Sequence, residues 1–202
     1  KLDEHVGDRS GEPGIVYIRG DLTDPRALGA VRKLIDSFDD NPTVARRADG
    51  EPDLQQRTLF DLLERLLLSD FALAQVHEAT DVELTDADTD GIPDSQAQIK
   101  AAYDYMVRGG VPLDPNTLIY NPDQVAETLF HAPETGAENV TTLAIGIPAT
   151  REQANVAAAR DALVDDLEVL RAAPSIRRVG LTGSPFTRQA ELDATATSLQ
   201  KS

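Results

Sequence analysis

The N-terminal half of the chain shows a pattern of apolar and polar positions that predicts a strand, a helix and a return strand. Residues 14–18 form a short apolar run of the length that strands favour. Asp24 followed by Pro25 predicts a capped helix start, because proline suits the first helical position. Residues 43–47 are expected to form the return strand. The helix between them is predicted from apolar residues at helical spacing, namely Leu28, Val31, Ile35 and Phe38.

The C-terminal half repeats this order with clearer boundaries. Residues 142–147 alternate, so that every second side chain shares one face of a predicted strand. Thr150 with Gln153 three residues later matches a capping box and predicts the start of a helix. A second strand is predicted at 176–182. The helix between them presents apolar residues at helical spacing, namely Val156, Leu163, Leu167 and Leu170.

Two strand-helix-strand halves separated by a long insert predict an α+β fold of the split βαβ, or ferredoxin-like, type. Such a sandwich has four antiparallel strands with two helices on one face. The duplication lies in the architecture, since the two halves share no convincing repeat of residues. The predicted organisation is a flexible lead-in over 1–13, the first half over 14–49, a helical insert with an Asp-rich loop over 50–138, the second half over 139–185, and a connector helix over 186–202.

The insert is predicted to be rich in helix. One amphipathic helix carries its apolar face on Leu59, Leu63, Leu66 and Leu67, and a second is expected within 97–107. A third helix is predicted after the Asn121-Pro122 pair and through Leu129. The apolar residues Tyr103 and Met106 are expected to belong to the core and not to a ligand site. An insert of this size forms either a lid or a docking surface, and the sequence leaves these two alternatives open.

The composition of the chain narrows the classes of function. Its 202 residues carry 35 acidic and 19 basic side chains, a net charge of −16. This charge disfavours nucleic acid and anionic membrane surfaces, because both are bound through Lys and Arg. We interpret the acids as a solvated, salt-adapted surface typical of a halophile, in preference to a dedicated acidic binding patch. The absence of cysteine excludes disulfides and thiol nucleophiles.

No residue pattern indicates catalysis, and we do not expect an enzyme. The three histidines, His5, His77 and His131, have no ligand or nucleophile partner at motif spacing. His131 follows a predicted helix, where a capping or surface role is expected. Ser184 follows a strand but lacks the nucleophile-elbow motif, so a turn or cap role is expected for it. The glycosylation sequon at Asn139 overlaps a predicted strand, and we interpret it as a chance occurrence.

An Asp-rich segment, D-A-D-T-D-G-I-P-D over 86–94, is the sharpest local motif. Calcium loops use this spacing because a tight turn, permitted by glycine at the sixth position, wraps oxygen ligands around one hard cation. Position twelve is Ala97 where an EF-hand has a bidentate Glu, so the segment is closer to thrombospondin-type and dockerin-like loops. The alternative is an acidic turn in an acidic chain. The sequence predicts a structural Ca²⁺ site formed by Asp86, Asp88, Asp90, Asp94 and the backbone carbonyl of Ile92.

Three motifs in the C-terminal third carry a resemblance to a known family. They are T-T-L-A-I-G-I-P from Thr141, D-L-E-V-L-R-A-A-P from Asp166 and V-G-L-T-G-S-P from Val179. Together they resemble the extracytoplasmic porter domain of the resistance-nodulation-division (RND) superfamily, nearest to its MMPL-like and hydrophobe exporter branch. The resemblance extends to the first strand-helix unit and does not cover the insert.

The resemblance implies a piece of a transporter that is driven by a proton or sodium gradient. Its ion-coupling residues would lie in membrane helices, so this piece would not couple ions or catalyse a reaction itself. It would instead handle a hydrophobic or amphiphilic small molecule at the extracytoplasmic face of the cell membrane. Its partners would be a second porter domain and the membrane helices of the same longer chain, which agrees with Lys1 not being a natural initiator. The resemblance leaves the oligomeric state open, since the drug-efflux branch is trimeric and other branches form smaller assemblies.

Two alternatives stay open at this point. One is a protein-export domain of the SecD/SecF type, which shares the split βαβ arrangement and differs in its substrate. The other is a free-standing ferredoxin-like binding module that calcium stabilises. Flanking membrane helices would favour either transporter, whereas a native stop near Ser202 would favour the module.

The charge of the chain generates a first testable prediction. Because its acids repel one another in dilute salt and screening weakens that repulsion, we expect the melting temperature to rise from dilute to molar NaCl. Circular dichroism during heating would measure this change, with sucrose at matched osmolality as the uncharged control. A melting temperature that stayed constant or fell in NaCl would contradict a salt-adapted surface.

Overall fold

The structure is a computed structural model that describes residues 11–131 and 138–191. Most of the predicted lead-in and the connector beyond residue 191 therefore lie outside the described residues. The described chain is a mixed α+β fold. Its elements in order are β1 Glu12–Gly20, α1 Pro25–Ser37, α2 Leu59–Leu67, α3 Asp70–Thr80, α4 Gln96–Gly109, β2 Val111–Asp114, β3 Thr117–Tyr120, α5 Pro122–Ala126, β4 Leu129–His131, β5 Asn139–Ile147, α6 Gln153–Asp166, α7 Glu168–Arg171 and β6 Ile176–Thr182.

Strand β1 is a central strand of the main sheet, which has the order β4-β5-β1-β6 and is antiparallel throughout. Its pairing with β5 is unbroken from Glu12 opposite Ile147 to Gly20 opposite Asn139. Alternate residues point to one face, and on that face the side chains are buried. They include Val16, Ile18, Leu143, Ile145 and Ile147. The predicted strand at 176–182 is confirmed as β6.

Helix α1 begins where the sequence predicts. The Asp24 carboxylate accepts a hydrogen bond from the Arg26 backbone N–H, and Pro25 occupies the first turn. Hydrogen bonds from the Arg26 side chain, and further ones from Ser175 and the Arg26 backbone, lower the pKa of Asp24 to about 2, although burial acts in the opposite direction. Since Ser175 directly precedes β6, this carboxylate joins the start of α1 to the far edge of the sheet. The predicted stripe is confirmed, with Leu28, Val31 and Phe38 buried and Ile35 packed beside them.

The prediction of a return strand at 43–47 is wrong. This segment forms only an isolated bridge between Arg46 and Pro52. Its backbone instead lies along the outer edge of β5, where the Ala45 N–H donates to the Gly146 carbonyl at 2.8 Å and the Gln55 N–H donates to Ala144 at 2.8 Å. Strand β4 pairs only with residues 139–141 of β5, so part of that edge is free for backbone contacts from residues 45–55. These few hydrogen bonds pair backbone N–H and C=O groups along the edge of β5 without forming a further strand.

The predicted capping box at Thr150 is also wrong. Helix α6 begins at Gln153, and its N-cap residue, Glu152, makes no side-chain capping bond. The Thr150 hydroxyl donates instead to the Glu12 carboxylate at 2.7 Å. Because Glu12 lies at the start of β1, this hydrogen bond joins the turn between β5 and α6 to the central strand.

The insert shares the core of the sheet. Buried residues from α2, α3 and α4 belong to the same apolar cluster as those of β1 and α1. Tyr103 and Met106 are fully buried, as predicted, and the Tyr103 hydroxyl donates to the Leu22 carbonyl at 3.0 Å. Three insert features were not predicted, namely α3, the β2–β3 hairpin and β4. Helix α5 ends at Ala126, so Leu129 lies in β4 and not in the expected third helix.

The chain leaves β6 in a helix whose described part covers residues 184–191, and Ser184 is its first residue. Phe186 on this helix is buried. A Cβ at Gly14 would lie 2.9 Å from the Phe186 ring, so the helix packs directly on the backbone of β1. The described part of the predicted connector is therefore anchored to the sheet.

The Tyr103 contact generates a second prediction. We expect Tyr103→Phe to lower the free energy of unfolding by about 1–2 kcal/mol, because the buried Leu22 carbonyl loses its donor. Tyr105→Phe on the same helix is the matched control, since Tyr105 is only partly buried, and we expect a change within about 0.5 kcal/mol. Urea unfolding followed by circular dichroism would measure both. Equal effects of the two substitutions would show that the hydrogen bond from Tyr103 to Leu22 does not stabilise the attachment of the insert.

Candidate functional site

The Asp-rich loop is held between two buried anchors. Leu84 before it and Ile92 within it are each 6% exposed, so the loop is attached to the core. The Asp94 N–H donates to the Thr85 carbonyl at 3.0 Å and closes the loop. Gly91 has a φ of +77°, a conformation that residues with a side chain rarely adopt. The sixth position of the motif thus makes the turn that the sequence predicts.

Hydrogen bonds within the loop orient two of its carboxylates. Asp86 accepts from the backbone N–H groups of Asp90 and Gly91, both at 3.0 Å. Asp94 accepts from the Thr85 hydroxyl and from the Ala87 N–H. These two donors lower the pKa of Asp94 below its usual value. Backbone N–H groups therefore help to position both carboxylates, and that of Asp94 is favoured in its ionised form.

Three of the five predicted metal ligands come together. One carboxylate oxygen from each of Asp86, Asp88 and Asp94 lies within 4.8 Å of the others. Two oxygens bound to the same calcium ion are at most about 5 Å apart, so this spacing suits such an ion. Asp90 instead uses a carboxylate oxygen to accept from the Ile92 N–H at 2.8 Å. Neither the participation of Asp90 nor that of the Ile92 carbonyl follows from the geometry, and both stay predictions.

A groove of about 500 Å³ lies directly beside this loop. Helices α2 and α3 supply most of its floor, and the loop forms one wall. We call it the leucine groove, because its floor comprises Phe60, Leu67, Leu68, Leu73 and Leu84. Its charged rim comprises Arg32, Glu64, Asp86 and Asp90. The sequence analysis missed this groove, although three successive leucines at 66–68 cannot all face the same core from one helix.

A second groove, of about 790 Å³, shares Phe60 with the leucine groove. Three arginines line it, Arg32, Arg47 and Arg57, and we call it the arginine groove. These cations already have partners. Arg57 is 3.0 Å from Glu127 and stacks over the Tyr120 ring, and Arg47 is 3.4 Å from Asp49. The arginine groove therefore has a balanced, polar lining.

Arg32 separates the two grooves. Its guanidinium lies 4.1 Å from the centre of the Phe60 ring, a cation–π contact. The same group donates to the Asp90 carbonyl at 2.8 Å. Arg32 thus joins α1 and α2 to the Asp-rich loop, and the position of the loop depends on the packing of the core helices.

A buried polar network joins the insert to the edge of the sheet. The Leu22 N–H donates to Asn139 Oδ1 at 3.2 Å, which turns the Asn139 amide N–H toward His131 Nδ1. His131 therefore carries its proton on Nε2 and donates it to Asp104 at 2.8 Å. Burial by itself would raise the pKa of Asp104, but hydrogen bonds from Lys100 and His131 outweigh it and lower the pKa.

This network corrects one prediction and supports another. The expectation of a surface or capping role for His131 is wrong, because its side chain is 1% exposed. Its partners lie 27 and 8 residues away in the chain, beyond any local motif. Asn139 is fully buried, in agreement with its sequon being a chance occurrence. Among the described residues, the side-chain hydrogen-bond partners of His131 are Asp104 and Asn139.

Comparisons of the chain with family models, with curated proteins and with solved structures find no match. Within the described residues, none of the helices combines the length and the apolar content needed to cross a bilayer. The candidate site is therefore described by its own geometry alone.

The loop geometry generates a third prediction. After treatment with a chelator, we expect added Ca²⁺ to raise the melting temperature. The stabilisation would be about 2.7 kcal/mol when calcium exceeds its Kd a hundredfold. Asp88→Asn should abolish this gain, because it removes a ligand charge from a side chain that is exposed and outside the hydrogen bonds that shape the loop.

Asp40→Asn is the matched control, since it removes an exposed carboxylate far from the loop in the chain. Isothermal titration of the chelated protein at constant NaCl would give the affinity directly. Absence of both heat and thermal shift at millimolar Ca²⁺ would refute the predicted site.

Proposed function

We propose that the chain is the extracytoplasmic substrate-handling, or porter, domain of an RND-type membrane transporter or exporter of hydrophobic or amphiphilic molecules. In this proposal the domain binds and passes on a substrate outside the membrane and carries out no catalysis itself. The observation that carries the proposal is the order of the strands in the main sheet together with the positions of the family-like motifs on it.

The topology supports a split βαβ, ferredoxin-like assignment. If α2–α5 and the β2–β3 hairpin are left out and only β4 at the end of the insert is kept, the chain runs β1-α1-β4-β5-α6-β6, which is the order of strands and helices in that fold. In the sheet order β4-β5-β1-β6, β5 lies between β4 and β1, and β1 lies between β5 and β6, which is the arrangement expected when β4 takes the place of the missing return strand. Helix α7 extends α6, so each half contributes one helical segment to the layer over the sheet.

The motifs that resemble RND porter domains coincide with structural boundaries. The T-T-L-A-I-G-I-P motif ends with β5, and D-L-E-V-L-R-A-A-P covers α7 and the turn before β6. The motif V-G-L-T-G-S-P runs from β6 into the helix over 184–191. A helix that leaves the sheet at this turn suits a connection toward a membrane segment, as the resemblance implies.

The face of the sheet away from α1 suits a second porter domain as partner. Phe130 on β4 is 61% exposed there, and Tyr17 and Val140 on the same face are half-buried. Antiparallel sheets commonly leave one face to solvent, but that face is then mostly polar. The register also places Arg19, Thr142 and Arg178 on this face, so its exposed apolar part is the patch around Phe130, and that patch supports contact with another protein surface.

The proposal generates a fourth prediction, on the protein in the cells that produce it. An antibody raised against this chain should detect a membrane-bound polypeptide several times larger than 21.8 kDa. External protease should cleave it in intact cells, because the domain faces outward. A cytoplasmic protein that stays uncut is the control for cell integrity.

A soluble antigen of about this size would overturn the transporter proposal. In that case the second candidate, a calcium-stabilised binding module, would take its place. One observation favours that candidate: the carboxylates of Asp86, Asp88 and Asp94 lie close together. Such a cluster suits a metal ion that stabilises the module, and this role does not require a membrane. Calcium binding alone does not decide between the two, since a porter domain could use the same ion for stability.

A further inference from the structure

We propose that the leucine groove binds the apolar chain of an amphiphile whose head group is positively charged. This inference rests on the proposed porter function and narrows its substrate to cationic, single-chain amphiphiles. It concerns the insert, which the family resemblance does not cover.

The floor of the groove provides the apolar contact. Leu68 is 71% exposed, the largest exposure among the large apolar side chains of the described residues. Leu67 and Leu73 lie beside it and are only partly buried against the core. Covering this floor with a hydrocarbon chain removes apolar surface from water, which favours binding.

The rim of the groove sets the sign of the head group. Glu64 stands at the rim, and within 11–131 and 138–191 its carboxylate has no ion-pair partner. Asp86 and Asp90 add two more negative charges on the loop wall. The one cation of the described lining, Arg32, is stacked on Phe60 and donates to the Asp90 carbonyl. Three carboxylates against one guanidinium leave the rim with a net negative charge, which attracts a positive head group and repels a negative one.

The dimensions and the neighbouring groove agree with this choice. A volume of about 500 Å³ lies within the range of about 300–1,000 Å³ that small-molecule sites occupy. The arginine groove is larger, but Arg47 and Arg57 are ion-paired there and its lining is mostly polar, so it offers no comparable apolar floor. The two grooves share Glu64, which places the unpaired carboxylate where the apolar floor meets the polar region.

The test is isothermal titration of the 202-residue chain with three ten-carbon probes below their micelle concentrations. They are decyltrimethylammonium, decyl sulfate and decyl maltoside, which are cationic, anionic and neutral. The buffer contains chelator, so that no metal neutralises the rim. We expect the cationic probe to bind at least about fivefold more tightly than the anionic one, and we expect this preference to shrink as NaCl is raised.

Four variants locate the binding. Leu68→Ala should weaken the cationic probe about tenfold, whereas Leu113→Ala, a control at another exposed leucine on the β2–β3 hairpin, should leave it unchanged. Glu64→Gln should weaken the cationic probe by up to about fivefold and leave the neutral probe unchanged. Glu51→Gln removes an exposed acid outside the groove and should have no effect.

Each contrary outcome overturns the inference. Equal or tighter binding of decyl sulfate would refute the cationic preference. Binding that Leu68→Ala leaves unchanged, or no binding of any probe, would refute the groove as the site. Neither result affects the porter proposal, which depends on fractionation and external proteolysis. Conversely, a soluble antigen in the cell would remove the transporter while leaving a measured binding site intact.

Discussion

The unbroken pairing of β1 with β5 is the constraint on which the rest of the structure depends. It brings Glu12–Gly20 against Asn139–Ile147, so the two halves of the chain meet along nine register positions. The whole insert must then leave the sheet after α1 and return to it at β4. This long closure has an entropic cost that local contacts cannot offset, and it is compensated by burial of apolar residues in one shared core.

Polar groups then determine how the insert is attached. Asn139 lies at the end of the β1–β5 ladder, and its amide links the Leu22 backbone to His131 and, through it, to Asp104 on α4. Each buried donor in this chain of contacts has an acceptor, which avoids the cost of an unpaired polar group in an apolar setting. The same helix contributes the Tyr103 hydroxyl to Leu22. The insert is therefore oriented by hydrogen bonds and stabilised by packing.

This attachment explains why a groove exists at all. Helix α4 is bonded to the edge of the sheet, and α2 and α3 cover other parts of the core with some of their leucines. Leu68 and its neighbours are left facing outward. Arg32 connects the core helix α1 to the Asp-rich loop and so keeps the loop as a wall of the groove. The proposed substrate site and the candidate cation site are thereby neighbours that share one segment. The high negative charge of the chain acts on both, and salt screens it.

The sequence by itself determined the elements whose signals are local: the cap of α1 at Asp24, its apolar stripe, strand β6, and the turn at Gly91 that brings Asp86, Asp88 and Asp94 together. Tertiary structure decided what depends on distant partners. Residues 43–47 became an edge contact because β4 is short, Thr150 bonded Glu12 instead of capping a helix, and His131 was buried by partners that no motif links to it. The leucine groove belongs to this second group, because exposure of Leu68 follows only from how α2 and α3 pack on the core. The spacing of residues along the chain determines hydrogen bonds between near neighbours. Whether a side chain is buried depends on which distant residues pack against it, and only the folded structure decides that.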